Sequence, residues 1–151
     1  MAISAEAVKA LRDQTGVSVM ECKKALEEAG GDTAKALEIL GKRAQASVGK
    51  KSDRTLAAGV VSSYIHNTGQ IGAMLLLSSE TDFVSKNEEF GALARDIAMH
   101  AAAMRPESVE ELMQQSFIKD PARTIADLIS AATQKFGERI EVQSLTITAV
   151  K

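Results

Sequence analysis

Two β-like runs, GVVSSYIHN and QIGAMLLLSS, stand on either side of Asn67-Thr68-Gly69, a turn signal that predicts an antiparallel hairpin. The run from Ala73 to Leu77 is continuously apolar, not alternating, so this strand is expected to be covered on both faces. A helix expected from about Lys86 to Met104 supplies one covering layer. Phe90, Leu93, Ala94, Ile97, Ala98 and Ala101 follow the helical period there, and Pro106 marks the end. Another helix fits Ile125 to Phe136, with Asp120-Pro121 ahead of it and Gly137 behind. The segment EVQSLTITAV reads as a third strand whose apolar residues change phase between Val142 and Leu145, which points to a bulge or to burial on both faces. The fold class is therefore α+β, a small antiparallel sheet backed by helices. Because the helices can back only one face, a homodimer with a second copy packed on the other is expected. The competing arrangement folds the N-terminal module, or the segment from Glu107 to Asp120, over that face.

The N-terminal part carries three helix signatures in a row. Ser4 caps the first, with Val8 and Leu11 on one side and Gly16 where the chain turns out. Ser18 followed by Glu21 is a capping box, and Val19, Cys22, Leu26 and Ala29 share a face on the second helix. Gly30-Gly31 ends it, and Asp32 caps a third helix with Ala36, Leu37, Leu40 and Ala44 inward. The stretch ASVGKKSDRT has no apolar period and reads as a linker. The expected organisation is a three-helix module over 1–49, a basic linker over 50–54 and an α+β core over 55–151, the dimerising part. Gly49-Lys50 fails as a phosphate loop, since Lys51 stands where Ser or Thr is needed; no nucleotide is expected to bind this chain. Lys50, Lys51 and Arg54 read as solvated linker residues.

Composition narrows the function classes. A net charge of -2 offers no overall field for phosphate neutralisation, so direct nucleic-acid binding is not expected. Cys22 is the single cysteine, which removes any internal disulfide framework and any multi-cysteine zinc site and suits a reducing cytoplasm. No basic-then-apolar leader opens the sequence and no run is long enough to span a membrane. His66 and His100 have no partner at metal-ligand spacing, and Cys22 lies on an apolar helix stripe where a thiol behaves as a small hydrophobe. Glu88-Glu89 and Glu110-Glu111 are consecutive helix residues that point apart. No catalytic constellation, cofactor or metal site is expected, and the chain reads as a binding protein and not an enzyme.

The sharpest binding candidate is SSETDFVSKNEEF, Ser78 to Phe90. In one reading Thr81 or Ser85 caps the following helix, Asp82 complements its positive end, and Phe83 joins the inward stripe seven residues before Phe90. In the other, Asp82 and Phe83 project from a strand-to-helix corner into a partner, the ring as anchor. Pattern leaves both open.

At these residues the sequence resembles the bacterial elongation factor Ts family, guanine-nucleotide exchange factors of elongation factor Tu. The matching pieces are LRDQTGVSVMECKKALEEAGGD, YIHNTGQIGAMLLLSSETDFVSKNEEF, AMHAAAMRP and FGERIEV, in family order along nearly the whole chain. The resemblance implies that the three-helix module is similar to a ubiquitin-associated domain and docks on the GDP-bound partner through Arg12 and Met20. It also implies that Thr81, Asp82, Phe83 and Val84 form the motif that intrudes near the partner's Mg²⁺ and phosphate site. Relative to the family's short members, this chain lacks a helical excursion between Pro106 and QQSFIKD. An alternative resting on the three-helix module alone is an adaptor without exchange activity.

Overall fold

The computed structural model describes residues 2–150, which form two compact units: one runs up to Ser52 and includes Ser130–Gly137, the other comprises Asp53–Ile129 and the residues from Glu138 on. In the first unit, α1 (Ala5–Thr15), α2 (Val19–Glu28) and α3 (Thr33–Lys50) start at side-chain caps. Ser4 Oγ accepts from the Ala7 amide at 3.1 Å, Ser18 Oγ from Glu21 at 3.3 Å and Asp32 Oδ1 from Lys35 at 3.1 Å, each satisfying an amide that has no partner inside its helix. Val8, Leu11, Val17, Cys22, Ala25, Leu26, Ala36 and Leu40 make one buried cluster. Arg43 on α3 bonds Glu21 at 3.1 Å and also Glu28, tying α3 to α2.

Two expectations are corrected here. Val19 is exposed, and the inward stripe of α2 is Cys22, Ala25 and Leu26. A helical side chain leans over the turn before its own, and Val19, as the first helical residue, has no such turn. The basic stretch is also helical for longer than its composition suggests, since α3 runs through Lys50. A solvated helix end needs no apolar period, and Lys51 Nζ donates to Ser47 Oγ at 3.1 Å.

In the second unit β1 (Ala58–Ile65) and β2 (Ile71–Ser79) form the expected hairpin, with Tyr64 opposite Ala73 and Ser62 opposite Leu75. At the turn Gly69 sits at φ 71° and donates its amide to the His66 carbonyl at 2.7 Å, a conformation that suits a residue without Cβ. Then follow α4 (Asp82–Ser85), α5 (Glu88–Met104), α6 (Val109–Gln114), a small hairpin of β3 (Ser116–Phe117) and β4 (Asp120–Thr124), α7 (Ile125–Phe136), whose residues from Ser130 on belong to the first unit, and β5 (Glu141–Ala149). Strand β5 pairs antiparallel with β2, giving the order β1-β2-β5. The phase change is a bulge: Leu77 faces Val142 and Leu76 faces Ser144, leaving Gln143 extra, where its Oε1 accepts from Ser78 Oγ at 2.7 Å.

Helix α5 packs on β1 and β2, with Phe90, Ala94, Ile97, Ala98 and Ala101 buried against Ala73, Leu75 and Leu77. On the opposite face the second unit carries exposed apolar side chains. Met74 is 51% exposed, Val61 and Ile65 are 63% exposed, and Leu76 is half-buried. A continuous apolar run fixes that both faces are apolar, not that one chain covers both.

Sequence periodicity gave no sign of α6 or of the β3–β4 hairpin, because six- and two-residue elements and a strand containing Pro121 carry too little pattern. His100 holds this region. Its Nδ1 accepts the Ile118 amide at 3.1 Å, so the hydrogen sits on Nε2, which donates to Gln115 Oε1 at 2.9 Å. Burial lowers the His100 pKa below its ordinary 6.5, against a smaller opposing effect of the Gln115 bond. By linkage, this stability is complete above the unfolded-state value and is lost as pH falls from there through the folded one. Denaturant unfolding from about pH 7.5 down to about pH 5 is expected to show a decline that His100→Gln lacks. Parallel profiles for the two proteins would contradict it.

Candidate functional site

Strand β2 ends at Ser79, which is fully buried, and the chain reverses through Glu80 and Thr81 into the four-residue helix α4. Successive helical side chains point about 100° apart, so fixing one decides the next. Val84 is 4% exposed, among the core residues, and Phe83 is 89% exposed. Asp82 beside it is exposed as well. The phenyl ring therefore stands out of the corner and does not join the inward stripe of α5, which begins at Phe90. Neither Thr81 nor Ser85 caps α5: Asn87 does, accepting the Glu89 amide at 2.8 Å.

Thr81 has another use. Its amide donates to Glu138 Oε1 at 3.0 Å and its hydroxyl to Glu138 Oε2 at 2.6 Å, while the Glu80 amide reaches Glu138 Oε1 at 3.1 Å. Ser79 Oγ donates to the Thr81 carbonyl at 3.0 Å. In the reciprocal direction Glu80 Oε2 accepts the Arg139 amide at 2.5 Å and Arg54 Nη1 at 3.4 Å. Arg139 in turn donates to the Arg54 carbonyl at 2.6 Å. Two carboxylates thus each hold the backbone of the opposite segment, and bonds to ionised acceptors are the stronger kind. Sequence reasoning missed Glu138 and Arg139 as supports: FGERIEV marks them, but nothing in its spacing names a partner about sixty residues earlier.

Thr81, Asp82, Phe83 and Val84 are together at this corner. Arg12 on α1 and Met20 on α2 lie in the other unit, both exposed, Met20 at 68%. His66 is exposed beside Tyr64, whose hydroxyl is 3.3 Å from Nδ1, and His100 is structural. Among the described residues no group of three or more His, Cys, Asp or Glu side chains is placed to hold a metal ion, and no helix is long and apolar enough to cross a membrane.

The family model described as Elongation factor TS matches residues 80–151, which include the corner and both supports. An elongation factor Ts from Acetivibrio thermocellus is 37% identical, the match covering 93% of this chain and 86% of the relative. The chain belongs to the elongation factor Ts family. Its relative from Thermodesulfovibrio yellowstonii is 39% identical over 95% of this chain and 94% of its own length. Another, from Clostridium acetobutylicum, is 44% identical over 95% of this chain, which spans only 47% of that longer protein. The Acetivibrio alignment extends over 186 positions, more than the 151 residues here, so that elongation factor Ts contains residues this chain lacks.

The corner predicts a split between neighbouring residues. Val84→Ala should cost roughly 2 kcal/mol of folding stability, two buried methyl groups and the space they leave. Phe83→Ala should stay within about 0.5 kcal/mol, as for an exposed position. Thermal unfolding of both variants checks this, and comparable losses would place the ring in the core.

Proposed function

We propose that this chain is a guanine-nucleotide exchange factor that binds GDP-bound elongation factor Tu during translation elongation, in the cytoplasm, and promotes release of Mg²⁺ and GDP. The observation that carries the reading is the presentation of Phe83, almost fully exposed next to a buried Val84, in a member of the elongation factor Ts family. No bond is made or broken in this role, so the chain acts as a binding protein. Its three-helix module, read as ubiquitin-associated-like, docks on the partner's nucleotide-binding domain through Arg12 and Met20.

The mechanism is competition between two bound states. A cation offsets the concentrated charge of nucleotide phosphates, and displacing it removes their largest favourable charge contact. Phe83, inserted between partner helices, stabilises a conformation in which that site is distorted. The Asp82 carboxylate adds an unfavourable field for the returning phosphates. By linkage GDP weakens the factor's binding by the same ratio as the factor weakens that of GDP. A thousandfold effect corresponds to ~4 kcal/mol, within reach of a buried aromatic anchor and lost ionic contacts.

The test is release of fluorescent GDP from elongation factor Tu. Phe83→Ala is expected to slow stimulated release more than about tenfold. Asp82→Ala should slow it with a stronger dependence on Mg²⁺ concentration, since only a carboxylate addresses the cation directly. Unstimulated release with the intact chain would instead favour an adaptor built on α1, α2 and α3.

The same reading includes a homodimer through the open sheet face. Val61, Ile65 and Met74 form an apolar strip of the kind an aligned sandwich buries, with inner faces ~10 Å apart. Light scattering without the partner is expected to give twice the 16.0 kDa of one chain, and Met74→Asp to return it toward one. A mass of one chain at micromolar concentration would remove the dimer.

A further inference from the structure

We propose that Glu138 is a positioning residue for Phe83, holding the Glu80–Thr81 turn so that the ring meets its partner already oriented. The inference rests on the exchange reading above. One carboxylate accepts from two consecutive amides and a hydroxyl, at 3.1, 3.0 and 2.6 Å, and all three donors lie within three residues of Phe83. Consecutive amides aimed at one acceptor fix the direction in which the chain leaves β2. Val84 fixes the rotation of α4, so direction and rotation together leave the ring little backbone freedom. An anchor that is ordered before contact avoids the entropy cost of ordering on binding. Glu138 itself need not touch the partner; it acts through the turn.

Removal of the carboxylate by Glu138→Ala should expose the Glu80 and Thr81 amides to hydrogen exchange. It should also raise the concentration of factor needed for half-maximal GDP release about tenfold, with the maximal rate changed less. Glu138→Gln should restore most of this, because its amide oxygen accepts from both backbone groups and its NH₂ group donates to the Thr81 hydroxyl. Glu138→Asp keeps the charge but is one methylene short, so it should behave like the alanine variant, and it replaces that variant if the latter fails to fold. Because Glu138 acts through the turn that carries Phe83, adding Glu138→Ala to Phe83→Ala should slow release by less than it slows the intact factor, the remainder coming from displacement of Asp82.

All rates are taken per folded molecule, from the native fraction in a thermal melt. An unchanged half-saturation in both Glu138→Ala and Glu138→Asp would overturn the inference, as would losses that multiply in the double variant. If the intact chain does not accelerate release, the exchange reading falls, and if Phe83→Ala is unimpaired, its anchor role falls; either takes the inference with it. Those failures appear without any Glu138 variant and are thus distinguishable.

Discussion

The seating of Ala73, Leu75 and Leu77 on α5 is the constraint on which the rest of the second unit depends. Strand β2 is paired along both edges, so its side chains can only alternate between the faces. A slip by one residue would bring Met74 and Leu76 inward, and these are apolar too, so hydrophobicity alone sets the register weakly. Local geometry sets it instead. A Cβ on Gly59 would come within 2.7 Å of the Leu77 carbonyl oxygen, and the Gly69 turn fixes which residues of β1 and β2 face each other.

Register then decides where the chain leaves the sheet. With Leu77 inward, Ser79 arrives buried at the strand's end and the reversal begins at Glu80. The apolar side chain that returns to the core after the reversal is Val84, leaving Phe83 outside. A bulky ring displayed this way carries a solvation cost that folding does not recover, since it contributes nothing to the core. Surrounding polar contacts are what give the display a fixed direction. The corner thus separates two neighbouring side chains: Val84 anchors α4 to the core, and Phe83 stays exposed.

Much of this was legible in the sequence, and the failures have identifiable causes. The hairpin, the α7 boundaries, the three N-terminal caps and the bulge beside Val142 follow from local rules that tertiary contacts did not override. Phe83 was ambiguous because its spacing of seven from Phe90 fits a continuous helix. The break between α4 and α5, made by the Asn87 cap, destroys that phase relation. Glu138 was invisible for a different reason: a carboxylate that binds distant backbone amides leaves no periodicity, and its donors are present in every non-proline residue. The three short elements α6, β3 and β4 carry too few residues for any pattern.

The corner's supports are also independent of the elements after Pro106. Residues Ser79–Ser85 and Glu138–Arg139 lie on opposite sides, in sequence, of the region after Pro106. They meet through the pairing of β2 with β5, in which Ser78 lies opposite Glu141 only a few residues from both carboxylates. None of the bonds made by Glu138 or Glu80 runs through α6 or the β3–β4 hairpin. Loop-closure cost changes only slowly with the length of an intervening segment, so shortening that region leaves the free energy of bringing β2 and β5 together nearly unchanged. In the proposed role of Glu138, the orientation of Phe83 depends on a strand pair and two carboxylates, none of them in α6 or the β3–β4 hairpin.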